Sequence, residues 1–165
     1  MRAERGIDLA HTTLMRWVQH YVPKFAKHWQ RYARPVERSW RIDETDIKIR
    51  GKWGYLYRGV DTEGQTIDFF LSARRDIAAA TRFLQQAIEM RGTPQKITLD
   101  GYAASHAAVA ELQEEGVLPP TLTMRTNRYL NNVIEQDHRR VKPRVRPMLG
   151  CKRFDHAAVT IAGIE

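Results

Sequence analysis

Cysteine is nearly absent from the chain: Cys151 is the single one in 165 residues. One thiol excludes an internal disulfide and a thiolate-rich zinc cluster, and a reducing cytoplasm fits best. Long apolar runs are missing as well; without a stretch of about 18 such residues, no segment reads as a membrane-spanning helix. The opening residues MRAERGIDLA are charged and lack an apolar signal core, so secretion is not expected. Internal repeats and low-complexity segments are also lacking. The six histidines form no pair spaced with a Cys or an acid for zinc. What remains is ordinary globular material, 42% hydrophobic and 28% charged, enough for a real core. Acids are the scarcer charge: 19 Asp and Glu face 27 Lys and Arg, a net +8 that suggests a polyanionic partner such as nucleic acid, or less often an anionic membrane face.

The imbalance is not uniform. Residues 1–38 hold eight basic and three acidic side chains, residues 39–124 ten and twelve, and residues 125–165 nine and four. The net charges are therefore +5, −2 and +5. A basic flank is usually a solvated face, but an acidic centre between two basic flanks is what a metal-dependent enzyme acting on nucleic acid requires: carboxylates for cations, basic arms for phosphates.

Periodicity divides the chain further. Leu14, Trp17, Val18 and Tyr21 recur at helical spacing, with Thr12 or Thr13 as a cap and Pro23 as an end or kink. A second amphipathic run, Lys24 to Ala33, places Phe25, Trp29 and Tyr32 on one side and stops before Pro35. From Ser39 the period changes to two. Ser39 to Ile49, Trp53 to Val60 and Thr66 to Leu71 read as strands joined by turns at Arg50-Gly51 and at residues 61–64, an antiparallel meander. Asp76 caps an expected helix to about Met90 with Ile77, Ala80, Phe83, Leu84 and Ala87 on its apolar face. Lys96 to Leu99 is a short buried-type strand, Tyr102 to Glu115 a helix, Thr121 to Met124 a fifth strand, and Asn131 to about Lys142 a helix before Pro143; another helix begins at Phe154. The tryptophans at 17, 29, 40 and 53 are expected in the core.

The order βββ-α-β-α-β-α predicts a ribonuclease H-like α/β fold, a mixed sheet flanked by helices. Three acids then fall at telling places: Asp43 in the first strand within RIDETDIKI, Asp100 at the end of the fourth within ITLDGY, and Glu135 on a helix within NNVIEQDHRR. Strand interiors and the carboxyl ends of buried strands disfavour structural acids. Two Mg²⁺ ions about 3.5–4 Å apart, held by such carboxylates, suit in-line displacement at phosphorus. Spacing alone leaves this triad and a set of surface acids in turns and caps as two open readings. His138, Arg139 and Lys142 share the helical face of Glu135, either to hold a phosphate or as simple helix pairing. Glu44, Asp46 and Asp68 lie on strands without an identifiable partner; Asp61 reads as a turn residue. Asp46 falls on the face opposite Asp43.

At these residues the chain resembles a bacterial insertion-sequence transposase with an Asp-Asp-Glu integrase core, and more narrowly the insertion-sequence six family. The matching blocks are RIDETDIKIRGKWGYLYRGVD, ITLDGYAASHAAVAEL and RYLNNVIEQDHRRVKPRVRPMLG, with HTTLMRWVQHYVP near the start. The resemblance implies that Asp43, Asp100 and Glu135 form the catalytic, metal-binding triad for two Mg²⁺ ions, with Mn²⁺ as a substitute. It implies that Lys142 contacts DNA, that Arg139 and Arg140 add non-specific attraction, and that Thr12 to Tyr21 is the last helix of a helix-turn-helix. Thr13, Arg16 and Gln19 would face the groove of terminal inverted repeats. The implied organisation is residues 1–36 as a partial DNA-binding segment with a linker helix, and residues 37–165 as the catalytic domain. The family's members carry further helices before the position of Met1 and beyond Glu165, so a chain cut at both ends is expected. The implied reaction is cleavage at the element's end to expose a 3′-OH, followed by attack of that hydroxyl on target DNA, by a cytoplasmic, nucleoid-associated homo-oligomer. An inactive remnant that binds DNA or poisons full-length subunits is the rival expectation, and a general nuclease of the same fold a third.

Overall fold

A computed structural model describes residues 2–4, 7–29, 32, 35–126 and 153–164. The chain divides into two compact units, one of Met1–Arg34, Ile49–Gly51 and Arg140–Glu165, the other of Pro35–Lys48 and Lys52–Arg139.

In the first unit, β1 (Arg2–Glu4) pairs antiparallel with β2 (Ile7–Leu9). Helix α1 (His11–Trp29) follows, opening at the carbonyl of Ala10, so Thr12 and Thr13 fall inside its first turn rather than capping it. It is one helix, not two: Pro23 lies within it. The missing proline N–H costs a single backbone bond, and support comes from α4 (Phe154–Ala162), which packs on α1. The Gln19 amide donates to the His156 carbonyl at 3.1 Å and to Thr160 Oγ1 at 3.5 Å, and Val22 lies so close to Gly163 that an added Cβ would meet it at 2.7 Å. Leu14, Trp17 and Tyr21 are exposed on α1, so the expected apolar face is only partly covered, and Trp17 is not core.

The second unit holds a five-stranded mixed sheet in the order β5-β4-β3-β6-β7. Its strands are β3 (Ser39–Ile49), β4 (Lys52–Val60), β5 (Thr66–Ser72), β6 (Lys96–Leu99) and β7 (Thr123–Thr126). Arg50 and Gly51, with φ of 49° and 81°, make the two-residue turn whose twist suits a hairpin. β4 and β5 are antiparallel, whereas β6 runs parallel to both β3 and β7. The parallel connections require crossovers, supplied by α2 (Ile77–Arg91) and α3 (Ala103–Glu114). β7 starts two residues later than its composition predicts, because Leu122 N–H turns back to the Pro119 carbonyl and takes up that stretch. The helix expected from Asn131 to Lys142 lies outside the described residues.

Both crossover helices bury one face on the sheet. Trp40 and Ile42 of β3, Ile97 and Leu99 of β6, and Tyr57 and Ile67 meet Ala79, Ala80, Phe83, Leu84 and Ala87 of α2 and Ala108, Val109 and Leu112 of α3. Gly59 admits the Phe83 ring, whose Cζ would lie 3.4 Å from any Cβ there. Asp76 caps α2 by accepting from Ala79 N–H at 3.0 Å, which leaves Ile77, ahead of the first buried turn, exposed. Trp40 is buried, its indole N–H donating to the Glu37 carbonyl; Trp53 is exposed, against expectation, on the outer end of the hairpin. Among the described residues no helix is long and apolar enough to cross a membrane.

Two acids of this unit generate stability predictions. Asp61 is buried in the β4–β5 turn and accepts from the N–H groups of Glu37 at 3.0 Å, Glu63 at 3.0 Å and Gln65 at 2.8 Å. Asp61→Ala strands these donors and should cost on the order of 3 kcal/mol in denaturant unfolding; a neutral effect would show that the turn does not depend on the carboxylate. Burial raises the pKa of Asp68 despite hydrogen bonds from Phe69 N–H and Gln86 and the charge of Arg91. A carboxylate raised above its unfolded value, about 3.9, weakens the fold increasingly as pH rises through the folded pKa and not at all below the unfolded one. Asp68→Asn, with the Gln86 amide reversed, keeps both hydrogen bonds; its Tm should exceed the wild type's at neutral pH, with the gap closing near pH 3.

Candidate active site

The parallel pairing of β3 with β6 brings two of the expected acids together. Ser39 stands opposite Lys96, Trp40 opposite Ile97 and Arg41 opposite Thr98, a constant offset (96 − 39 = 57). Extended two residues past the last of these pairs, the offset brings Asp43 level with Asp100, the residue directly after β6. Neighbouring strands lie about 4.8 Å apart, so the two carboxylates spring from adjacent backbone positions. Because Trp40, Ile42, Ile97 and Leu99 face α2 and α3, alternation turns Asp43 and Asp100 to the other face of the sheet. Asp43 is 8% exposed, and Asp100 is half-buried.

Asp100 is held by its own turn. Its Oδ1 accepts from the Tyr102 N–H at 3.0 Å, and Gly101, at φ 96°, supplies a left-handed conformation that side chains resist. Tyr102 is the N-cap residue of α3, so strand, acid and helix are joined within three residues.

A second cluster lies on the helix-covered face and was not foreseen from sequence. Glu44, with 3% of its side chain exposed, accepts from Arg75 Nε at 2.8 Å and from the Ser105 hydroxyl. The Arg75 guanidinium sits 3.9 Å from the centre of the Tyr102 ring, and the Tyr102 hydroxyl donates to the Arg75 carbonyl at 3.2 Å. Burial pushes the Glu44 pKa up, the nearby Asp100 charge adds to this, and Ser105 and Arg75 oppose it. Burial would lower Arg75, but the hydrogen bond and charge of Glu44 more than offset it and hold the guanidinium more firmly protonated. The guanidinium, always charged, faces the Glu44 carboxyl across 2.8 Å. Tyr57, buried beside them, also has a raised pKa, from burial first and then from the Glu44 charge. The signal in the sequence was parity: Glu44 shares the face of Trp40 and Ile42, and an acid on an apolar face demands a cation.

The remaining expected residues fall as follows. Glu135, Arg139, Arg140 and Lys142 lie outside the described residues, as do His138 and Cys151. On α1, Arg16 is exposed, Thr13 is half-buried, and Gln19 is engaged by α4. Asp46 is exposed and its charge acts on Arg75, consistent with the face opposite Asp43. Among the described residues, no three His, Cys, Asp or Glu side chains gather to hold a metal ion. The donor chemistry of Asp43 and Asp100 nevertheless fits Mg²⁺ or Mn²⁺: both offer hard carboxylate oxygens at one sheet end, and such ions are commonly bound through one or two carboxylates plus water and phosphate.

A family model described as a DDE domain matches residues 37–165. Two curated relatives, both from Staphylococcus aureus, are the transposase for insertion sequence-like element IS431mec and the transposase for insertion sequence element IS257 in transposon Tn4003. Each is 43% identical, over 98% of this chain and 70% of its own length. Among solved structures, the HTLV-2 integrase catalytic core domain in complex with magnesium superposes with a TM-score of 0.60 at 20% identity, covering 77% of this chain and 83% of that one. The catalytic core domain of BIV integrase gives 0.55 at 18%, covering 76% and 80%. These two likenesses establish the shared ribonuclease H-like fold.

Proposed function

This chain belongs to the DDE-domain transposases of insertion sequences, the insertion-sequence six family, and from that premise we propose that Asp43, Asp100 and Glu135 are the acids at which it cuts and joins DNA. The observation that supports the reading is the β3–β6 pairing, whose offset of 57 is also the separation of Asp43, within β3, and Asp100, directly after β6. Glu135, on the far side of β7 in sequence, completes the set.

The acids would hold two divalent ions, Mg²⁺ or Mn²⁺. Such ions, when bound, activate the attacking oxygen and stabilise the leaving oxygen of a phosphodiester. The chain's own contribution is to fix the carboxylates in advance: β3 supplies a rigid mid-strand position for Asp43, and the Gly101 turn and Tyr102 N–H hold Asp100. Water would first attack the phosphodiester at the element's end, freeing a 3′-OH there and leaving a 5′-phosphate on the flank; that hydroxyl would then attack a target phosphodiester and displace the target's own 3′-oxygen. Lys142, Arg139 and Arg140, within the +5 segment 125–165, neutralise DNA phosphates beside the site. Thr13 and Arg16 on α1 are offered to the terminal inverted repeats; Gln19 serves α4 instead in this conformation. Two element ends must be joined to one target, so the working form is a homo-oligomer on DNA, in the cytoplasm with the nucleoid.

A strand-transfer assay with labelled element ends and Mg²⁺ tests this. Asp43→Asn and Asp100→Asn should each lower the rate by about 10²–10³, the loss expected when a group stabilising transition-state charge is removed, while DNA binding persists. Transfer at the wild-type rate in Asp100→Asn would sink the assignment; DNA binding without transfer in the unaltered chain would overturn the enzymatic reading.

A further inference from the structure

Asp43 and Glu44 are consecutive residues of β3, so one faces the candidate metal site and the other the helices. Three elements converge on Glu44: β3 itself, Arg75 from the connection between β5 and α2, and Ser105 from the first turn of α3. Arg75 then continues the chain of contacts, its guanidinium on the Tyr102 ring and its carbonyl under the Tyr102 hydroxyl. Tyr102 in turn donates its N–H to Asp100. The circuit Glu44, Arg75, Tyr102, Asp100 therefore links the strand of the first acid to the turn of the second, by a route separate from the β3–β6 backbone pairing.

We propose that Arg75 is a positioning residue: by gripping Glu44 and stacking on Tyr102 it fixes the Asp100 turn against β3, and so sets the spacing of the Asp43 and Asp100 carboxylates for a divalent cation. This rests on the metal-binding reading of those two acids. β6 ends at Leu99, so the last backbone pairing lies short of Asp100, and the acid stands on a turn containing a glycine. Such a turn needs an external brace to hold a carboxylate to within the tolerance of a metal site. The planar guanidinium meets both demands at once, since it donates to a carboxylate along its edge while its face stacks on an aromatic ring; an ammonium has no such edge and face.

The test is Mn²⁺ binding to the full chain without DNA, followed by the electron paramagnetic resonance signal of free Mn²⁺, beside thermal unfolding in the absence of metal. Arg75→Lys keeps a cation against Glu44 and gives up the stacking; Arg75→Ala removes both; Tyr102→Leu removes the ring and leaves the Glu44–Arg75 pair. Each folded variant should bind Mn²⁺ roughly tenfold or more weakly, the usual loss when a partner behind a metal ligand is removed. Wild-type affinity in folded Arg75→Lys or Tyr102→Leu, with only a lowered Tm, would overturn the proposal and leave the cluster a plain structural brace. If Arg75→Ala fails to fold, the other two decide. Asp100→Asn serves as the control that separates the layers: unchanged Mn²⁺ affinity there removes the metal-site reading itself, whereas lost affinity there with intact affinity in the Arg75 and Tyr102 variants removes only the positioning role.

Discussion

The sheet unit depends on one constraint, that successive residues of a strand face opposite ways. β3 is the central strand, bonded to β4 on one side and β6 on the other. It carries Asp43 and Glu44 back to back. One acid is turned to the candidate site, and the other is driven into the layer built by α2 and α3, where it must find a countercharge. Arg75, just before α2, and Ser105, in the first turn of α3, answer that need. The same strand delivers Trp40 and Ile42 to the core, so packing, ion pairing and the candidate site share a single backbone segment.

A buried ion pair is seldom the most stabilising way to fill a core, because apolar side chains of similar volume often do as well. What distinguishes Glu44 and Arg75 is direction. Hydrogen bonds fix angles that apolar contacts leave loose, and the pair stands one residue from Asp43 and one ring from Asp100. The cost of burial, visible in the raised Glu44 pKa, falls where geometry matters more than stability.

Much of the fold was legible in the residues. The three strands of the meander, the Asp76 cap, the strand from Lys96 to Leu99 and the element order of a ribonuclease H-like sheet all follow from period and turn chemistry, and the matched DDE-domain model agrees with the resemblance of the acidic blocks. The failures have local causes. Proline chemistry suggested a break at Pro23, but packing of α4 along α1 supports a continuous helix. Trp17 and Trp53 were expected in the core because large aromatics usually are, yet each lies on an outward face. Within the candidate site, Asp43 and Asp100 stood out because a strand interior and the carboxyl end of a buried strand disfavour structural acids; their spacing gained meaning only once the β3–β6 register was known. Arg75 did not stand out, for it is 31 positions from Glu44 and neighbours an equivalent Arg74, and only the path of the chain between β5 and α2 chooses between them.

That register also orders events in time. β3, β4 and β5 are joined by the two-residue turn Arg50-Gly51 and the five residues 61–65, so their pairing needs only short loops to close. β6 reaches β3 after the whole of β4, β5 and α2 has intervened, and long closures carry a larger entropic cost and form slowly. The two acids meet only when the parallel half of the sheet docks, which makes the candidate site a late product of folding.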